Sequence, residues 1–294
     1  MKTALHSVSY CGFWGQDSLS LEEFIPHAAK LGYSGVSLVA KKPHASVLDM
    51  TPECLNKISR LLTDNKLTCV SIAAYTDFAN TFHEGMPINE MQVSYVIQCA
   101  KMAKSLNCNL VRVFTSYEHD TNNLKGLWKQ VVTLLQDCSD RVAPLGVTLA
   151  VQNHHDLAVA TDSMFELLTE VARPNCKAGF DAWAPALHGE DLYKAALKMA
   201  PLTVMTTCAD YVRLPRFKYI PALTNYEKAG PDLIKAVPFG EGFIDYQSFF
   251  KGLRDGGFDG WALYEMCENL RGGGKMDNLD KCARIFVERL NTIS

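Results

Sequence analysis

Eight short apolar segments rich in β-branched residues recur along the chain of 294 residues, and amphipathic segments separate them. They cover 4–10, 35–41, 68–75, 110–116, 147–153, 176–182, 202–208 and 260–266. This alternation predicts strands that each lead into a helix, with the last helix at 278–290. Eight such units predict an α/β fold of the (β/α)8 TIM barrel type, in which residues 1–294 form a single domain.

Residues typical of helix starts support this interpretation. Segments 20–23 and 163–166 have the spacing of capping boxes, and Pro52 stands where the first residue of a helix is expected. A doubly wound open sheet has the same alternation, but no GxGxxG follows the first segment, so the barrel is favoured. The segment 211–244 after strand seven is predicted to be a long loop that acts as a lid or a subunit contact.

Composition excludes several classes of partner. The net charge is −3 and no basic stripe is present, which argues against nucleic acid. No apolar run approaches the roughly 18 residues that a membrane span needs, and the N-terminus lacks a signal-peptide pattern. The ten cysteines are scattered singly, which is typical of reduced thiols. The sequence therefore predicts a cytoplasmic protein without a membrane partner.

Polar residues end several predicted strands, at the place where a barrel carries its chemistry. Gln152 and His154 lie on one face of strand five, because side chains alternate along a strand. Asp181 ends strand six and Glu265 ends strand eight. A buried carboxylate is costly without a partner, so a metal, an Arg or Lys, or substrate hydroxyls are expected beside Asp181 and Glu265. Salt bridges that only close the barrel mouth are the alternative.

Two long segments carry a resemblance to a known family. Residues 237–266 (VPFGEGFIDYQSFFKGLRDGGFDGWALYEM) contain a GxGxID pattern, a helix, a glycine turn and a strand that ends in glutamate. Residues 19–38 (LSLEEFIPHAAKLGYSGVSL) resemble a first helix and second strand. Together they are similar to the xylose-isomerase-like barrel superfamily, which includes sugar isomerases and epimerases, inosose dehydratases and hydroxypyruvate isomerases. The resemblance extends over essentially the whole chain.

This resemblance implies a divalent metal ion, Mn²⁺ or Mg²⁺, held by Glu, Asp, His and Glu at the ends of strands five to eight. Asp181 matches the second ligand and Glu265 the last. Gln152 stands in place of the first glutamate, and Thr207 begins the run in which the family has His-x-x-Asp, ending here at Asp210. An amide exchanges no proton near neutral pH, so a mechanism with two glutamates is not available.

Three hypotheses accommodate these changes. Gln152, Asp181 and Glu265 are the predicted metal ligands, with His154 or His155 as a further donor. Alternatively, His154 or His155 supplies the second acid or base beside Glu265, so that these three are the predicted catalytic residues. In the third hypothesis the chain has lost catalysis and is a scaffold or partner subunit.

The substrate expected from the resemblance is a small carbohydrate. Predicted substrate-binding residues are Gln152, His44, Trp14, Trp183 and Arg216, because amides and charged groups bind hydroxyls and aromatic rings stack on sugar faces. Further polar candidates near the predicted strand ends are His6, Lys41, Asp77, Glu118 and His119.

The family implies isomerisation or epimerisation of a keto-sugar or cyclitol by metal-assisted proton transfer next to a carbonyl. A lyase or dehydratase that works by β-elimination on a keto-glycoside or inosose is the first alternative, because elimination does not need two carboxylates. A non-catalytic sugar-binding or partner subunit is the second. A homo-oligomer or a partner chain is expected from the resemblance.

Overall fold

The computed structural model describes residues 1–80, 85–117, 124–155, 157–266 and 270–293. Eight parallel strands pair in a closed ring, which confirms the predicted (β/α)8 barrel. The strands are Lys2–His6 (β1), Gly35–Val39 (β2), Thr68–Ala73 (β3), Leu110–Val113 (β4), Thr148–Gln152 (β5), Cys176–Gly179 (β6), Thr203–Cys208 (β7) and Trp261–Tyr264 (β12). The last of these is numbered β12 because four strands that are not part of the barrel lie between it and β7 in the chain.

Helices connect the barrel strands and cover their outer faces. They are Leu21–Lys30 (α1), Pro52–Asp64 (α2), Ile88–Ser105 (α3), Leu124–Val142 (α4), Thr161–Val171 (α5), Trp183–Leu187 (α6), Leu192–Met199 (α7), Tyr246–Asp255 (α8) and Met276–Ile293 (α9). None of the helices in the described ranges is both long and apolar enough to cross a membrane.

The predicted helix starts are confirmed in two cases and wrong in one. Ser20 and Glu23 form a reciprocal capping box at α1, and Pro52 is the first residue of α2. The predicted box at 163–166 is wrong, because α5 begins two residues earlier, at Thr161, and Ser163 lies inside the helix.

The inward faces of the strands determine which side chains reach the barrel mouth. Small and medium apolar residues fill the interior: Ala4, Val70, Ala150, Met205 and Leu263. Because side chains alternate along a strand, the residues two positions further on face inward at the carboxyl ends. Those of β1, β5, β7 and β12 are His6, Gln152, Thr207 and Glu265.

The first strand is shorter than predicted. It ends at His6, and a 3-10 turn follows over Ser7–Tyr10. The Ser7 hydroxyl accepts a hydrogen bond from Val39 N at 2.9 Å, and Cys11 N donates to Val8 O at 3.1 Å. These bonds hold the turn beside the end of β2, so the chain does not continue β1 beyond His6.

The segment 211–244, predicted as a loop, is largely an antiparallel ribbon. Its strands are Asp210–Leu214 (β8), Phe217–Ile220 (β9), Asn225–Lys228 (β10) and Leu233–Val237 (β11), with β8 paired to β11 and β9 to β10. The outer part of the ribbon exposes large apolar side chains: Leu214, Phe217, Tyr219, Leu223, Tyr226 and Leu233.

Asp210 fixes the base of this ribbon. Its buried carboxylate accepts hydrogen bonds from the backbone N–H groups of Tyr211 at 2.9 Å, Gly240 at 2.8 Å and Gly242 at 2.9 Å. Three donors on one carboxylate satisfy a group that would otherwise be costly to bury.

Replacing Gly242 with Ala should therefore destabilise the protein. The new Cβ would overlap Asp210 Oδ1 and lie 2.5 Å from Tyr211 O, so the Asp210 carboxylate must shift away from its backbone donors. The expected loss of unfolding free energy in urea is about 2–4 kcal/mol. Gly85→Ala is the control, because its Cβ would meet nothing within 4 Å and the expected change is within about 0.5 kcal/mol. Equal unfolding curves for the two variants would contradict the assignment.

Candidate functional site

The carboxyl end of the barrel opens into a cavity of about 350 Å³. Its lining residues come from the segments that follow β1 to β5 and β12, from α6, and from the ribbon strands β8 and β11. They are Val8, Phe13, Trp14, Lys41, Tyr75, Phe114, Tyr117, His154, His155, Trp183, Tyr211, Ile234 and Glu265. The ribbon therefore forms part of the cavity wall.

Aromatic rings form much of this wall. The Trp14 and Phe13 rings meet edge to face with centroids 5.9 Å apart, and Trp183 lies 5.6 Å from Tyr211. Trp14 and Trp183 were both predicted to bind substrate, and the structure places both at the cavity. Such rings present flat apolar faces with polar edges, which suits the C–H face of a sugar ring.

Glu265 is the only carboxylate among the described residues that line the cavity. Its backbone N–H donates to Cys208 O at 3.0 Å, which continues the pairing of β12 with β7 by one residue. Burial raises the pKa of the Glu265 carboxyl above its ordinary value, while the charges of Arg112 and Lys41 lower it. A carboxylate of raised pKa at the wall of a cavity is suited to proton transfer.

The two predicted histidines lie side by side on the cavity wall. Their ring centroids are 4.0 Å apart, and His154 lies 5.0 Å from the Trp183 ring. Burial, with the charges of His155 and Arg112, holds the pKa of His154 well below its usual value, so its imidazole is neutral. His155 adopts a φ of 70°, a left-handed conformation that is uncommon outside glycine. This conformation places its ring 4.2 Å from that of Tyr117.

Gln152 and Asp181 are each 1% exposed and do not line the cavity. The Gln152 amide nitrogen donates to Asp181 Oδ2, and Thr207 N donates to Asp181 Oδ1 at 2.6 Å. Asn153 Oδ1 accepts a hydrogen bond from the backbone N–H of Asp181 at 2.6 Å. Burial raises the pKa of Asp181 to about 8, despite the hydrogen bonds from Gln152 and Thr207, which lower it.

These contacts do not fit the divalent metal site that the resemblance implies. Both Asp181 oxygens already accept hydrogen bonds, the Gln152 amide offers Asp181 its nitrogen, and a threonine replaces the family histidine at 207. The described part of the chain contains no group of three His, Cys, Asp or Glu residues that could hold a metal ion. The interpretation of Gln152, Asp181 and Glu265 as metal ligands is therefore not supported by their geometry.

Besides Gln152, two further predicted substrate-binding residues do not line the cavity. His44 is buried and both of its ring nitrogens have partners, Leu19 O at 2.9 Å and Cys11 Sγ at 3.3 Å. These contacts link the segment after β2 to the segment between β1 and α1, which is a structural role. Arg216 is exposed between β8 and β9 of the ribbon and is not among the lining residues. Glu118 and His119 lie outside the described residues.

Arg112 was missed by the sequence interpretation. It lies on β4, is 1% exposed, and its Nη1 donates to Ala74 O at 2.9 Å. An arginine inside the otherwise apolar run LVRVF is the signal that was available, because an unpaired buried charge is costly and an interior arginine therefore implies a partner or a role.

The chain belongs to the xylose isomerase-like TIM barrel family, whose model matches residues 25–282. Among curated proteins it is similar to an inosose dehydratase of Lacticaseibacillus casei, with 24% identity over 163 residues, or 52% of this chain and 50% of that protein. The chain thus matches about half the length of that relative.

Two solved structures show the same fold over nearly the whole chain. A probable 3-DHS dehydratase, AsbF, from Bacillus anthracis has a TM-score of 0.75 at 19% identity and covers 98% of this chain and 99% of its own. A D-psicose 3-epimerase in the presence of D-fructose has a TM-score of 0.77 at 16% identity, with coverage of 100% and 99%.

Proposed function

We propose that this chain is an enzyme that removes the proton next to a carbonyl group of a keto-cyclitol or keto-sugar and eliminates a β-hydroxyl group as water. The observation that carries the proposal is the asymmetry of the cavity. Glu265 is its one carboxylate among the described residues, while Gln152, in the position of the second, is an amide bonded to Asp181.

One carboxylate is enough for this reaction. Glu265 takes the proton from the carbon next to the carbonyl, and the C–H electrons form an enolate with its charge on the carbonyl oxygen. The enolate then re-forms the carbonyl, and the bond to the β-hydroxyl breaks. Glu265 returns its proton to the departing hydroxide, so that one water is lost and no redox partner is needed.

The other cavity residues suit the binding of a polyhydroxylated ring. Neutral His154 can both donate and accept hydrogen bonds, and its ring lines the cavity. A hydroxyl of the bound ring is a suitable partner for the edge of this imidazole that faces the cavity. Trp14 and Trp183 pack on the apolar faces of the ring and exclude water from the reacting carbon.

The similarity to an inosose dehydratase supports a cyclitol substrate, over the half of that relative that matches. Isomerisation remains the second candidate, because a single base can also move a proton between two adjacent carbons. Epimerisation by two opposed carboxylates is disfavoured, since no second carboxylate faces Glu265 across the cavity in the described ranges.

The test is a product screen on the purified chain with an inosose and a 3-keto-glucoside. We expect a product that has lost one water from the inosose and absorbs in the ultraviolet as a conjugated enone. A product of unchanged mass would show isomerisation or epimerisation and contradict elimination. Recovery of both compounds unchanged would favour the non-catalytic alternative.

A further inference from the structure

A guanidinium group is held in the interior of the barrel mouth. Arg112 Nη1 donates to Ala74 O at 2.9 Å, and Nη2 lies 3.4 Å from His6 Nε2. The guanidinium carbon lies 4.0 Å from the centroid of the Phe114 ring and 4.7 Å from that of Tyr75. The guanidinium group of Arg112 thus lies against two aromatic rings that line the cavity, and these contacts fix its position.

A second cation reaches the same cavity. Lys41 follows β2, lines the cavity together with Glu265, and its Nζ lies 3.6 Å from the Tyr75 ring centroid and 4.6 Å from that of Phe13. The Tyr75 ring therefore contacts both cations, and the half-buried ammonium group of Lys41 is the one at the cavity wall. Its three N–H donors are able to bind a substrate oxygen.

The cavity already has two positive charges beside its carboxylate. Arg112 and Lys41 both act on Glu265, which is the one carboxylate among the described residues that line the cavity. Adding a divalent ion would place two more positive charges in a site of low dielectric constant, where like charges repel strongly.

We infer that Lys41 binds the substrate oxygen on which negative charge develops, and that Arg112 supports it electrostatically, so that the reaction needs no bound divalent cation. This inference rests on the proposed function. Lys41 is a second catalytic residue beside Glu265, because its ammonium group faces the cavity. Arg112 is a positioning residue, which acts through the rings and through its charge and does not touch the substrate.

The test is calorimetry on chelator-treated protein, with Mn²⁺ and then oxalate as titrants in metal-free buffer. Oxalate is a small planar dianion that resembles an enediolate. We expect no saturable Mn²⁺ binding, and oxalate binding that is about tenfold weaker in Lys41→Met and recovers in Lys41→Arg. Lys42→Met is the matched control, since Lys42 is exposed beside Asp49 at 3.6 Å, and it should bind oxalate as the wild type does.

Arg112→Lys keeps the charge and is expected to retain oxalate binding within about threefold, whereas Arg112→Met should lose about tenfold. Saturable Mn²⁺ binding that Asp181→Ala abolishes would overturn the inference. So would oxalate binding that requires Mn²⁺, that is absent from the wild type, or that is unchanged in Lys41→Met. These readouts need no turnover, so they stand even if the product screen contradicts the elimination.

Discussion

Replacing Glu265 with Gln should lower kcat for the dehydration of an inosose by about a thousandfold, because the amide keeps the shape of the carboxyl group but cannot take the proton. The KM should change little, since Gln still binds hydroxyl groups. Steady-state assays of enone formation measure both values. The fold should be retained, because Glu265 contributes its backbone N–H, not its side chain, to the bond with Cys208.

The matched control for this prediction is Glu166→Gln, an exposed glutamate on α5. It should leave kcat within about twofold of the wild-type value. A Glu265→Gln variant that dehydrates at the wild-type rate would show that another group is the base, and His155 would then be the first candidate, because it lines the same cavity.

The second large effect concerns stability and pH at Asp181. Burial raises its pKa from 3.8 to about 8, so between these values the folded chain holds a proton that the unfolded chain has lost. The stability that this proton confers is fully present below about pH 4 and is lost as the pH rises to about 8. The unfolding free energy should fall by about 1.4 kcal/mol per pH unit, roughly 6 kcal/mol in total, relative to Asp181→Asn.

Urea unfolding of the wild type and of Asp181→Asn across this pH range tests the prediction. The Asn side chain can still accept from Thr207 N, and Gln152 can turn its amide to offer an oxygen. Asp64→Asn, at an exposed position near the end of α2, should follow the pH dependence of the wild type. Parallel curves for the wild type and Asp181→Asn would mean that Asp181 is ionised in the folded chain.

The barrel was predictable because its causes are local. Apolar runs such as 35–41 and 260–266 alternate with amphipathic helices, and both the period of the pattern and the capping residues are visible in the sequence. The ribbon at 211–244 was not predicted as strands, because its antiparallel pairs bury little and so have no strong apolar alternation. Its base depends on Asp210, whose partners lie about thirty residues away in the chain.

The site was predictable only in part. Glu265, the two histidines and both tryptophans follow strands and do line the cavity. What the sequence does not show is how neighbouring strand ends pair with one another. Gln152 turns its amide nitrogen to Asp181, and Arg112 reaches from β4 to within 3.4 Å of His6 on β1. Such contacts depend on the closure of the barrel, which no single strand reveals.

The measurement that most directly tests the central claim is proton NMR of an inosose incubated with the chain in D₂O. The account predicts that water is lost and that a signal from a proton on the new double bond or its enol form appears. The same experiment with Glu265→Gln should show neither change. An isomer that carries deuterium next to the carbonyl but retains every hydroxyl group would contradict the account and identify the chain as an isomerase or epimerase.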